Sequence, residues 1–131
     1  GDVYKRQKYL KWLILNFPFT ERVADQSIIA GQNGERYDRV IATRGNDYML
    51  VYNYSGKPMS IDLTKISGAK KNVWWMNPTN GELTYLGEYD NKVTEFTYDA
   101  AYLRGSDRVL IAVDSSKNYI SKDDKQIPEK E

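Results

Sequence analysis

Two tryptophans stand side by side in the run Val73-Trp74-Trp75-Met76, and the run breaks at Asn77-Pro78-Thr79-Asn80-Gly81. Asn, Pro and Gly favour turns, each for its own backbone reason, so the run reads as a strand closed by a turn. Neighbouring side chains on a strand point to opposite faces. One indole therefore enters a core, and the other faces outward or meets a second layer. An outward indole is either an interaction surface or packing for a neighbour, and the functional question turns on which.

The rest of the middle of the chain repeats this pattern of short runs and breaks. Ser27–Ala30, Arg39–Thr43, Tyr48–Tyr54, Met59–Leu63, Asn72–Met76, Leu83–Tyr89, Lys92–Tyr98 and Arg108–Asp114 read as strands. Turn residues separate them, among them Gly31 to Gly34, Gly45 to Asp47 and Asp90-Asn91. Met59, Ile61 and Leu63 alternate with Ser60 and Asp62, the period of a half-buried strand. Tyr48–Tyr54 and Val109–Val113 are apolar on both faces, which predicts central strands covered on two sides. The expected fold is all-β: an antiparallel β-sandwich of about eight short strands with one N-terminal α-helix.

That helix is expected over Lys5 to Asn16. Leu10, Leu13, Ile14 and Phe17 fall at i, i+3, i+4 and i+7, while Tyr9, Trp12 and Leu15 are apolar off that stripe. Pro18 stops the helix. Apolar residues on most sides call for cover on most sides, from this domain or from a neighbouring one. Gly1 reads as a remnant of tag removal and Asp2–Gln7 as a scar on a truncated start. From Ser115 to Glu131 the chain is rich in Lys, Asp, Glu, Ser and Asn, with isolated Tyr119 and Ile120, and reads as an exposed or frayed tail. The expected organisation is a connector helix over 1–19, a sandwich over 20–114 and a charged tail over 115–131.

Composition excludes several chemistries. The 131 residues hold no Cys and no His, which removes disulfides, thiolate nucleophiles, the usual zinc sites and a Ser-His-Asp triad. No metal or cofactor is expected. A net charge of +1 gives no electrostatic case for nucleic acid or an anionic membrane. No run is long and apolar enough to span a bilayer, and no signal peptide is visible.

Glycoside hydrolysis needs two carboxylates at a set spacing. Asp47, Asp62, Glu82, Glu88, Glu95 and Asp107 lie at strand ends or exposed faces, and the sequence converges no two of them. Asp25 suits a side-chain-closed turn before Ser27. Arg44 suits a ligand carboxylate or hydroxyl, or a surface ion pair. Aromatic faces stack on sugar rings and on proline-rich chains, so Trp74, Tyr85, Tyr89 and Tyr102 form the candidate ligand platform. Tyr9, Trp12, Leu13, Phe17 and Trp74 are the candidate packing residues toward a neighbouring domain.

A series of segments resembles a known family. Tyr9 to Leu13, Phe17-Pro18-Phe19 and Arg22 to Ser27 are similar to the junction after the barrel of apiosidase-like glycoside hydrolases. Thr43-Arg44, Asp47 to Tyr52, Leu63 to Gly68, Trp75 to Pro78 with Gly81, and Asp107 to Asp114 follow in order. That series resembles the C-terminal domain known as a collagen-binding domain of a collagenase, over about Lys8 to Asp114. The family pattern carries Pro before the Asp-Gln of the junction, where this chain has Ala24, a less stiff junction.

The resemblance implies a non-catalytic accessory domain of a secreted or periplasmic bacterial enzyme. Its partner would be a catalytic (β/α)-barrel domain, with a share in substrate binding. The alternative reading is a binding module for collagen or another extracellular polymer or carbohydrate. In the series Trp75 is the core residue, and Trp74 is assigned to packing between domains ahead of ligand stacking.

Overall fold

The strands follow from alternating or continuously apolar runs bounded by turn residues. The computed structural model describes residues 1–31, 40–54, 57–97 and 107–127. Among them are one helix, α1 (Asp2–Asn16), and eight strands: β1 (Val23–Ala24), β2 (Val40–Arg44), β3 (Tyr48–Asn53), β4 (Met59–Asp62), β5 (Lys70–Met76), β6 (Leu83–Asp90), β7 (Val93–Phe96) and β8 (Arg108–Asp114). Six strands form one antiparallel sheet in the order β1-β2-β3-β8-β5-β6, and β4 pairs with β7 in a second. The sheets do not close into a barrel. The two strands expected at the centre, β3 and β8, are neighbours in the middle of the large sheet.

The large sheet is buried on both faces. Val73 and Trp75 point toward β4, β7 and the turn at Ile28, in a core with Met49, Ile61, Leu63 and Leu110. Trp74 and Met76 point the other way, into a core with Tyr9, Leu13, Phe17, Tyr48 and Ile111. Both indoles are thus interior, Trp74 at 1% and Trp75 at 5% exposure. Burying a large apolar side chain contributes roughly 1.5–3 kcal/mol, so the two layers flanking the sheet each hold a substantial share of the stability.

The second layer over Trp74 is α1. Its buried residues Tyr9, Leu13 and Phe17 are spaced i, i+4 and i+8. The expected stripe is therefore rotated: Ile14 is 46% exposed and Tyr9 takes the inner position. Arg6 fixes this rotation, donating to Asp107 and to the Tyr52 hydroxyl (3.1 Å) on the sheet. Arg6 and its neighbours thus form a turn of the helix tied to the sheet. Phe17 leaves the helix with extended dihedrals (φ −108°, ψ 149°) because a residue before proline is driven from the α region. Arg22 then closes the end, donating to the carbonyls of Ile14 (2.8 Å) and Phe17 (3.3 Å) and to Tyr48 Oη (2.6 Å).

Three segments depart from expectation. Ser27–Ala30 is a 3-10 turn over Gln26–Ile28 followed by a single bridge from Ile29 to Ile61. Asp25 Oδ1 accepts from Ser27 N (3.0 Å), which favours a turn over a strand. Val23–Ala24, outside the expected strands, pairs with Arg44 and Thr43.

The third departure is the C-terminal segment, which is docked. Most of its side chains are exposed, but Ile120 and Ile127 are buried in the core under α1. Its backbone pairs with the β5–β6 turn, Leu83 N to Lys125 O (2.9 Å) and Ile127 N to Gly81 O (2.8 Å). Asn16 Nδ2 donates to Tyr119 O (3.0 Å), tying the segment to the end of α1.

Candidate functional site

The β5–β6 ribbon decides where the aromatic candidates go. Trp74 pairs with Tyr85 while Val73 pairs with Gly87, so Leu86 is an extra residue between two registers. Gly87 takes φ +126°, a conformation favouring glycine. The bulge reverses the facing of everything beyond it. Tyr85 lies on the α1 side, tilted against Trp74 at 5.4 Å. Tyr89 lies on the opposite face, edge-on to Phe96 at 5.0 Å. Simple alternation puts both tyrosines on one face; the structure divides them between two layers, so Trp74, Tyr85 and Tyr89 do not form one platform.

Trp74 lies inside the chain's own core and offers no open ring face. Its Nε1 is buried without a hydrogen-bond partner in the described residues. Tyr9, Leu13 and Phe17 are likewise spent on this sheet, with Trp12 half-buried at the border. Arg44 pairs with Asp25 (2.7 Å), away from those rings. Asp25 is held well below the usual carboxylate range, at about 2, first by the Ser27 hydroxyl and then by Arg44. Tyr102 lies outside the described residues.

What remains open on the α1 side is a surface the packing residues leave behind. The outer face of the helix exposes Val3, Tyr4, Ile14 and Leu15, and Phe19 follows just past its end. Ile41, the register partner of Tyr52, is exposed, as is Tyr54, whose ring is tilted against Tyr52 at 4.3 Å.

The clefts lined by described residues include two. One, of about 240 Å³, is lined by Pro18, Glu21, Asn46, Asp47, Tyr48 and Tyr119 among others. Its two carboxylates are engaged locally: Glu21 accepts from Asn46 Nδ2, and Asp47 Oδ2 accepts from Tyr119 Oη (2.9 Å). Burial and that bond to Asp47 push the Tyr119 phenol up to about 12.

The other cleft, of about 400 Å³, lies between the start of β5 and the C-terminal segment. Asn72, Ser115, Lys117, Asn118, Ile120 and Lys122 are among its lining residues. Asn72 is 5% exposed, and its Oδ1 accepts from Tyr85 Oη (2.6 Å). The sequence signal for this cleft was slight: Ile120 and Ile127, two isolated apolar residues in a polar stretch, are the anchors that fold the segment back.

A separate buried network lies at the start of β5 on the other face. Lys71 is fully buried and donates to Gly68 O and Asn91 Oδ1 (2.6 Å). Desolvation lowers its pKa, against the pull of Asp114 and Asp62. Asp114 in turn accepts from Ser67 Oγ (2.6 Å) and Ser116 N (2.9 Å). These groups bond one another and brace the sheet end. No group of three or more metal-ligating side chains occurs among the described residues.

Residues 23–113 match the family described as "putative collagen-binding domain of a collagenase". The chain belongs to this family. The collagen-binding-type domain also recurs within larger solved chains. The structure is similar to a glycoside hydrolase family 5 chain from Bacteroides vulgatus ATCC 8482, at 62% identity and a TM-score of 0.93, covering 98% of this chain and 28% of that one. It is similar to a second chain, described as a glycoside hydrolase, at 62% identity and a TM-score of 0.87, covering 92% of this chain and 27% of that one. No curated protein matches. The family domain therefore spans little more than a quarter of the chains it resembles.

Proposed function

We propose that this chain is a non-catalytic accessory domain of a bacterial glycoside hydrolase, packed on the catalytic domain through the outer face of α1. The observation that carries the reading is the double use of that helix. Its inner face is satisfied by the sheet, yet Val3, Tyr4, Ile14 and Leu15 remain exposed on the outer one. Val3 with Tyr4 and Ile14 with Leu15 form two exposed apolar pairs along one helix face, and exposed apolar side chains grouped in this way suit an interaction surface. Phe19, Ile41 and Tyr54 extend the same side of the molecule. The similar glycoside hydrolase chains supply the occupant, since most of each lies beyond the matched part. Contribution to substrate binding, and a secreted or periplasmic site of action, belong to the same reading.

The test is made in a chain carrying this domain behind its catalytic domain. After cleavage between the two, the wild-type halves co-elute in gel filtration, and the Ile14→Glu, Leu15→Glu variant halves separate. Separation of the wild-type halves would remove the helix face as the junction. Hydrolysis of a glycoside by the 131-residue chain itself would overturn the non-catalytic assignment.

A further inference from the structure

We infer that the cleft between β5 and the C-terminal segment binds an acidic sugar residue, its carboxylate at Lys117 and Lys122 and its hydroxyls at Asn72, Ser115 and Asn118. At about 400 Å³ the cleft falls within the usual size range of small-ligand sites, roughly 300–1,000 Å³. Its floor is Asn72, more than nine-tenths buried on β5, a strand paired on both sides. Tyr85 Oη occupies the carbonyl end of that amide, which leaves the Nδ2 donor pair for the cleft.

The wall is rigid. Ser115 N donates to Lys70 O (3.0 Å), and Lys117 N to Asp114 O (2.8 Å). Ser116 Oγ is committed to Asp114 Oδ1 (2.9 Å), so it braces the wall and is not free for a ligand.

Charge selects the ligand. Two ammonium groups line the cleft and no carboxylate does. The nearby Asp114 is buried under Ser67 and Ser116, and Asp124 accepts from Ser121 N (3.2 Å). Lysine binds an anion as a point charge, while amide and hydroxyl groups both donate and accept, as ring hydroxyls require. The word sugar rests on the accessory-domain reading; the preference for an anion rests on the lining residues. Asn72 shares its sheet face with Trp74, two residues on, so the cleft opens on the side of the sheet that carries α1.

Amide NMR titration of the 131-residue chain tests this with trigalacturonate, a neutral galacto-trisaccharide and sodium acetate. Trigalacturonate is expected to give saturable shifts centred on Asn72 and 115–122, weakening as salt rises. Lys117→Gln with Lys122→Gln, both on exposed side chains, is expected to weaken it at least about fivefold. No saturation by about 20 mM, shifts elsewhere, an unchanged double variant, or equal binding of the neutral sugar would each overturn the proposal. Acetate binding as tightly as trigalacturonate would overturn the sugar while leaving an anion site. None of these outcomes touches the helix junction, whose failure is read by co-elution.

Discussion

Gly81 is where three parts of the chain meet, and Gly81→Ala measures how tightly they do. The glycine has φ +77°, and a Cβ placed there would lie 2.6 Å from Tyr9 Cε1 and 2.8 Å from Gln126 Nε2. Non-bonded carbons prefer about 3.5–4.0 Å, so the substituent overlaps the ring by about an ångström. A left-handed conformation costs an L-residue about 1–2 kcal/mol. Overpacking against a ring that is buried between helix and sheet adds about 1–3 kcal/mol. Gln126 can swing outward, at the loss of its bond to Asn80 O (2.7 Å), worth about 1 kcal/mol.

The expected destabilisation of Gly81→Ala is about 3 kcal/mol, read by urea unfolding with tryptophan emission and far-ultraviolet circular dichroism. With a slope of about 1–3 kcal/mol per molar urea, the midpoint falls by about 1–3 M. Gly31→Ala is the control, because Gly31 has φ +74° but open space around a Cβ. It carries the dihedral cost without the clash and is expected to lose about 1 kcal/mol. Equal losses at the two glycines would refute the close packing of helix, turn and C-terminal segment.

Acid should unfasten the turn at Asp25. Its carboxyl falls from 3.8 to about 2 on folding, so its contribution is full above pH 3.8 and is lost as pH drops through 2. The contribution is about 1 kcal/mol after allowance for solvent at this near-surface ion pair. Asp25→Ala should flatten the fall in stability between pH 4 and pH 2; curves that stay parallel to wild type would contradict the assignment. Ile127→Ala should cost about 2–4 kcal/mol, since Ile127 is fully buried. A loss below about 0.5 kcal/mol, the level of a surface substitution, would mean the segment is not docked in solution.

The strands were legible because their cause is local. Met59, Ile61 and Leu63 alternate, Tyr48 to Asn53 is apolar on both faces, and turn residues mark the ends. Of the paired tryptophans, one was expected in a core and the other either outward or against a second layer; both are buried, on opposite faces of one sheet. What covers Trp74 was not legible, because α1 is set by pairs distant in sequence: Arg6 with Asp107, Phe17 with Tyr48. Leu10 and Tyr9 are equally apolar, and periodicity cannot choose between stripes one residue apart. The bulge at Leu86 had a signal, the glycine inside a strand. Reading it would have separated Tyr85 from Tyr89. The cleft had almost none, since Asn72 and Lys117 are brought together only when the last strand turns back.

That last strand has a consequence for how the chain is made. β8 sits between β3 and β5, yet it is the final strand in the sequence. Until Asp114 has been synthesised, the large sheet can exist only as separate ribbons, β1-β2-β3 and β5-β6, each with an unpaired edge. A two-stranded ribbon is marginal in water, and an open edge recruits other strands. On a ribosome adding about 5–20 residues per second, the two edges wait for several seconds before their keystone arrives. Shortening the chain before Arg108 should therefore yield no smaller domain, only two sticky halves, and the interval before closure is when this protein most needs protection from its own copies.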